Sequence, residues 1–259
     1  MPRLSEIFSK NKRCFIPFVT AGHPDLDSTR QIVLHLAQAG SDIIEIGIPF
    51  SDPIADGPII QESSFHALRH AYALPDYIGL VKDLRKETDV GLIFMSYMNP
   101  VWKYGLERLH TEASAAGLDG ILISDLPPEE HLRLQSAGST SLDSIFLAAP
   151  TSSDDRLRSI AAASSGFIYL VARTGVTGKQ SDVQAAGPST ARRIRSFSQL
   201  PLAVGFGVKS ANDVRKIWQY AEGAVVGSAI VRFITEHQEQ ADLPSKVGQF
   251  VKDHLIPNE

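Results

Sequence analysis

The 259-residue chain predicts an α/β fold of the (β/α)8 TIM-barrel class, in one domain spanning residues 1–259. Three observations carry this expectation. Eight short apolar runs, each bounded by Gly, Pro, Asp or Ser, recur along the chain as strands buried on both faces do. Amphipathic stretches separate them, the alternation of a parallel sheet joined by crossover helices. No Pro/Gly/Ser linker or compositional shift divides the chain, and barrels commonly run to about 250 residues as one domain. An open doubly wound sheet has the same local alternation; strand count and length favour the closed barrel.

The elements follow in order. A helix over Leu4–Lys10 precedes the first strand, Phe15–Thr20. The next helix runs Asp27–Ala39, with Ile32, Val33, Leu36 and Ala37 on one face and Asp27 or Ser28 able to cap its start. The second strand is Ile43–Ile48, followed by two helices, Gln61–Tyr72 and Pro75–Lys86. Strands Val90–Ser96, Gly120–Ser124, Ser144–Ala148 and Phe167–Val171 come next, with helices Leu106–Ala116, Glu129–Ala137 and Asp154–Ala163 between them. A polar, glycine-bearing stretch, Arg173–Ser189, then leads to a helix over Thr190–Phe197. Strands Leu202–Gly205 and Ala224–Gly227 flank a helix over Ala211–Ala221, and a helix over Leu243–His254 closes the chain.

Composition bounds the function. With 43% hydrophobic and 21% charged residues there is enough apolar material for a large core. A net charge of −4 offers no basic surface to nucleic acid or an anionic membrane. The single cysteine, Cys14, permits no intramolecular disulfide and sits in an apolar run, where it reads as a small buried side chain. The first residues lack the continuous apolar segment of a secretory signal, and no run approaches the roughly 18 residues of a membrane span. The expected location is cytoplasmic.

In such barrels chemistry sits at the C-terminal ends of the strands. Glu45 is a carboxylate within the apolar strand Asp42-Ile-Ile-Glu45-Ile-Gly47, with no cation adjacent in sequence. It reads as an inward acid/base raised by desolvation, in preference to one arm of an ion pair. The following loop, Gly47 through Pro58, holds three prolines and the aspartates Asp52 and Asp56; turn chemistry alone accounts for both aspartates. The seventh and eighth strands end in Gly205-Phe206-Gly207 and Gly227-Ser228, where barrels bind phosphate with backbone N–H groups and a helix N-terminus. Gly175-Val-Thr177-Gly178 has the same small, donor-rich character. Arg173–Ser189 reads equally as an active-site lid or as a surface loop. His66 and His70 lie four apart on a helix but lack the intervening glutamate of a zinc-protease motif, and read as surface histidines.

Taken together, Phe15-Ile-Pro-Phe18-Val-Thr-Ala-Gly-His23-Pro, Glu45 through Pro58, Asp125-Leu-Pro-Pro, Tyr169 with Gly175–Gly178, Gly205-Phe-Gly207 and Gly227-Ser-Ala-Ile-Val resemble the tryptophan synthase α subunit family, in order over nearly the whole chain. The resemblance implies a lyase that cleaves indole-3-glycerol phosphate by retro-aldol chemistry into indole and glyceraldehyde 3-phosphate. It makes Glu45 the general acid/base and Asp56 the carboxylate facing the indole N–H. It makes Phe18, Met95, Tyr169 and Phe206 the pocket, Thr177 the lid contact to Asp56, and Gly178, Gly207, Gly227 and Ser228 the phosphate site. It implies no cofactor or metal in this chain and a pyridoxal-phosphate β subunit as partner in an α2β2 assembly, with Pro49, Asp52 and Asn99 at or near that interface. At His23 the chain departs from the family, where aspartate is usual, which bears on a local loop contact or a modest partner effect and not on the chemistry. The alternative is a stand-alone indole-3-glycerol phosphate lyase, with the same fold and active site but no β partner. A non-catalytic phosphate-binding barrel and a phosphosugar isomerase are further readings.

Overall fold

The computed structural model describes residues 2–11, 13–134, 142–171, 183–205 and 207–257. Among them, nine strand segments pair in parallel: β1 (Cys14–Thr20), β2 (Ile43–Gly47), β3 (Gly91–Ser96), β4 (Gly120–Ile123), β5 (Asp143–Ile145), β6 (Leu147–Ala148), β7 (Ile168–Val171), β8 (Leu202–Gly205) and β9 (Gly223–Val226). Their order is β5-β4-β3-β2-β1-β9-β8-β7-β6. The two outermost segments are neighbours in sequence, parted only by Phe146. They are the expected fifth strand broken at one residue, and the barrel closes through it. Alternation survives the break: Ile145 packs with the inner cluster and Phe146 with the outer one. The Phe146 carbonyl still accepts the Tyr169 N–H at 3.0 Å.

Among the described residues twelve α-helices accompany the strands: α1 (Arg3–Lys10), α2 (Leu26–Gln38), α3 (Pro58–Ala67), α4 (Leu74–Leu84), α5 (Met98–Tyr104), α6 (Leu106–Ala116), α7 (Pro128–Leu134), α8 (Asp154–Ala163), α9 (Val183–Arg195), α10 (Ala211–Ile217), α11 (Ser228–His237) and α12 (Leu243–His254). No helix among the described residues is long and apolar enough to cross a membrane.

Period-two alternation sorts the strand residues into two cores. Val19, Ile44, Ile46, Leu92, Phe94, Ile121, Leu170 and Val204 face outward and bury against the helices. Cys14, Ile16, Phe18, Ile43, Ile93, Met95, Leu122, Tyr169, Ala203 and Val225 fill the interior, so Cys14 is the small buried side chain its context predicts. Each large side chain so buried contributes about 1.5–3 kcal/mol. The N-terminal end of the barrel is plugged by α1, whose Leu4 and Phe8 join the interior cluster. Glycines make room for it: a Cβ at Gly91 would meet Ile43, Ile7 and Leu4 at 2.9–3.2 Å. Asp119 clamps the same end, accepting from the Leu92 N–H at 2.8 Å, Arg85 at 2.8 Å and Arg3 at 3.1 Å. The opposite, C-terminal end is left for the site.

Four local expectations are corrected. Asp25, not Asp27 or Ser28, caps α2, accepting the Ser28 N–H at 2.7 Å. The helix expected over Gln61–Tyr72 begins earlier, with Pro58 in its first turn, and ends at Ala67 in a 3-10 turn, Leu68–His70. The short α5 and the ten-residue α11 are additional. Finally, α9 begins at Val183, so the stretch expected to be loop as far as Ser189 is helical in its last seven residues. Pro188 lies inside that helix. Its missing N–H costs one backbone hydrogen bond, which is why the sequence there reads as a break.

Candidate active site

At the C-terminal mouth a cavity of about 580 Å³, counting its open entrance, is lined by Phe18, Glu45, Asp56, Gly57, Ile60, Met95, Tyr169, Gly207, Val208, Val225, Gly227 and Ser228. Strands β1, β2, β3, β7 and β9, helices α3 and α11, and the loops after β2 and β8 converge on it. Phe18 comes from β1, Glu45 from β2, Met95 from β3 and Tyr169 from β7. Strand register sets the first two side by side, with Phe18 opposite Glu45 in the β1–β2 ladder.

Two of the rings rest on missing side chains. Gly47 follows Glu45 by two residues and so also points inward; a Cβ there would land on the Phe18 ring. A Cβ at Gly205 would land on the Tyr169 hydroxyl. Aromatic rings thus occupy the mouth because glycines on the neighbouring strands vacate it.

Glu45 is 1% exposed, and its Oε1 has no hydrogen-bond partner among the described residues. The ion pairs among those residues leave it out as well, so the sequence-level alternative of a neighbouring cation does not apply. Burial pushes its pKa up to about 8, and the nearby Asp56 charge adds to this. Asp56, half-buried in the loop between β2 and α3, is raised to about 6 by desolvation, against which a hydrogen bond from Tyr97 acts. The loop is held in shape: the Tyr97 hydroxyl accepts the Ala55 N–H at 3.0 Å, and Gln61 donates to the Asp56 carbonyl at 2.8 Å. Asp56 is therefore more than a turn residue. At neutral pH the pair divides into a protonated Glu45 and an ionised Asp56, two carboxyl groups set to different tasks by their surroundings.

Across the cavity, Gly227 follows β9 and caps α11, which opens at Ser228. Gly227 spends its carbonyl on Ile230 and Val231, at 2.9 and 3.0 Å, leaving the earlier N–H groups of the helix free for an anion at its positive end. Gly207 takes a φ of +85° in the turn after β8, a conformation glycine adopts without steric penalty.

Of the residues singled out from sequence, the cavity gathers Phe18, Glu45, Asp56, Met95, Tyr169, Gly207, Gly227 and Ser228. Thr177, Gly178 and Phe206 lie outside the described residues. Asp52 and Asn99 are exposed, whereas Pro49 is buried. The sequence reading missed Tyr97, whose position one residue past β3 was a usable signal, and the apolar Ile60, Val208 and Val225, which read as ordinary core. His66 is also not simply a surface residue: its ring meets that of buried His23, centroids 4.8 Å apart.

A closed parallel barrel whose mouth sets a neutral carboxylic acid and a carboxylate over one apolar pocket defines an acid–base enzyme of the barrel class. The family model for the tryptophan synthase alpha chain matches residues 4–253. The tryptophan synthase alpha chain of Citrifermentans bemidjiense is 44% identical over 256 residues, covering 97% of this chain and 96% of that one. Among solved structures, a mutant α-subunit from the hyperthermophile Pyrococcus furiosus superposes with a TM-score of 0.84 at 35% identity, covering 93% of this chain and 97% of that one. Tryptophan synthase from M. tuberculosis, in an aminoacrylate-bound form, does so at 0.83 and 33%, covering 96% and 98%. The chain belongs to the tryptophan synthase alpha chain family. It is a lyase of the α reaction, which cleaves indole-3-glycerol phosphate into indole and glyceraldehyde 3-phosphate.

Proposed function

We propose that Glu45 and Asp56 perform this cleavage from opposite ends of the indole ring. The Glu45 carboxylic acid protonates indole C3, and the positive charge that develops at N1 is met by the Asp56 carboxylate. The bond from C3 to the hydroxyl-bearing carbon then breaks. Its electron pair returns to the ring, and the hydroxyl proton passes to Glu45 as the aldehyde forms. The net movement is one proton from hydroxyl to carbon, and Glu45 ends as it began. The observation that carries this reading is the buried Glu45, protonated at neutral pH with an oxygen that lacks a hydrogen-bond partner among the described residues, beside an ionised Asp56 in one cavity.

Phe18, Met95, Tyr169, Ile60 and Val225 would hold the ring, while Gly207, Gly227, Ser228 and the start of α11 take the phosphate. By resemblance, Thr177, Gly178 and Phe206 complete the lid and the pocket. In this reading the chain needs no metal or organic cofactor of its own. Its partner is a β subunit carrying pyridoxal phosphate, in an α2β2 assembly. Asp52 and Asn99 are exposed, as are the apolar Ile54 and Trp102 of the same two segments. Those segments touch each other, through the Phe50 and Tyr97 rings at 5.2 Å. Exposed apolar groups flanked by polar ones mark a contact surface.

The test is release of indole from indole-3-glycerol phosphate, measured with and without a β subunit. Slow turnover alone and marked acceleration with β supports the reading; equally rapid turnover in both makes the chain a stand-alone lyase. No indole release in either condition would overturn it.

A further inference from the structure

We propose that His23 is a positioning residue that fixes the distance between the indole half and the phosphate half of the site. It lies on the loop after β1 and is 2% exposed. Its Nε2 is 3.0 Å from the Thr235 hydroxyl on α11. That hydroxyl gives its own proton to the Val231 carbonyl at 3.0 Å, so His23 must donate, which fixes the tautomer with hydrogen on Nε2. Nδ1 is left without a partner among the described residues, and the imidazole meets the His66 ring of α3 edge-on, centroids 4.8 Å apart. Burial and the neighbouring imidazoles hold His23 neutral, its pKa lowered to about 4.

The last residue of β1 and the same loop grip α3 and its C-terminal turn at two further points. Thr20 bonds Ser63 at 2.6 Å; Ser63 gives its proton to the Ile60 carbonyl, so Thr20 donates. His70 Nε2 meets the Pro24 carbonyl at 2.6 Å. Both helices run back to the cavity. The α3 helix starts two residues after Asp56 and contributes Ile60 to the pocket; α11 starts at Ser228. They also pack against each other. Thr235 is seven residues along α11 from Ser228, a lever of about 10 Å. His23 is therefore a strut between the helix that carries the indole side and the helix that carries the phosphate side.

A strut affects a ligand that spans both halves, not a ligand that occupies one. A substrate held at two points gains from their correct spacing, as linked binding modules do. This inference rests on the phosphate assignment made above. For His23→Ala we expect the KM for indole-3-glycerol phosphate to rise about tenfold, with kcat within about threefold. Affinities for inorganic phosphate alone and for indole alone should stay within about twofold. His23→Gln, whose amide can donate to Thr235, should restore the KM. Thr235→Val should reproduce the defect and Thr235→Ser relieve it, which keeps the test valid if His23→Ala does not fold. An unchanged KM in both His23→Ala and Thr235→Val overturns the strut. So does equal weakening of substrate and both fragments, which would make His23 a general packing residue. If the unsubstituted protein turns over substrate but binds no inorganic phosphate near Ser228, the phosphate assignment falls first and the strut with it.

Discussion

A carboxylic acid in a dry strand is a costly placement, and the cost gives Glu45 a measurable pH dependence. In the folded protein its pKa is about 8, above the 4.5 of an ordinary glutamate, so folding takes up a proton between those values. Stability conferred in the protonated form is complete below about 4.5 and declines as pH rises toward 8. Glu45→Gln should remove this term: the fall in Tm across that window becomes shallower, while kcat drops roughly 10²-fold or more. Near-normal turnover by the folded variant would take Glu45 out of the mechanism. The rate itself should follow a bell in kcat/KM, rising near 6 as Asp56 ionises and falling near 8 as Glu45 loses its proton. These are values of a coupled pair. Tyr97→Phe deletes the hydrogen bond that holds Asp56 down, so the acidic limb should move to higher pH; a limb that stays put would show that Tyr97 leaves Asp56 untouched.

At the scale of elements, side chains missing from strand ends shape the pocket as much as those present. Gly205→Ala puts a methyl on the Tyr169 hydroxyl, and either the ring leaves the cavity or the strand shifts. Overpacking of this kind costs about 1–3 kcal/mol, so a lowered Tm and a raised KM should appear together; a variant with wild-type KM would mean that Tyr169 does not bear on the substrate. This logic also explains what was legible in the sequence. Glu45 stood out because a carboxylate in an apolar run has no bland explanation. Strand positions were clear because both faces are buried. Gly205 and Gly47 look like mere strand ends until the opposing ring is known, and Ile60 and Val225 carry no chemistry that separates lining from core. The α11 helix escaped because it begins directly at a glycine-serine strand end, and the first turns of α9, ahead of the expected helix from Thr190, because Gly187-Pro188 reads as punctuation. In fact Gly187 admits Tyr220, whose hydroxyl would lie 2.8 Å from a Cβ there.

For the whole molecule, the consequential arrangement is one short loop that holds Asp56 over the pocket and, four residues earlier, displays Asp52 at the surface. If a β subunit binds the active arrangement of this loop more tightly than the idle one, it raises turnover by the same factor. Tenfold activation needs about 1.4 kcal/mol of such preference. Asp52→Ala should therefore leave the activity of the isolated chain within about twofold and reduce its stimulation by β, read from paired assays. Loss of basal activity with stimulation intact would instead place Asp52 in the architecture of the site. The α1 plug adds a constraint on traffic. Leu4 and Phe8 pack into the far end of the barrel, so among the described residues that end is filled and the C-terminal mouth is the open one. Substrate enters and both products leave by the same mouth, so whatever covers that mouth decides whether the indole escapes to solvent or is handed on.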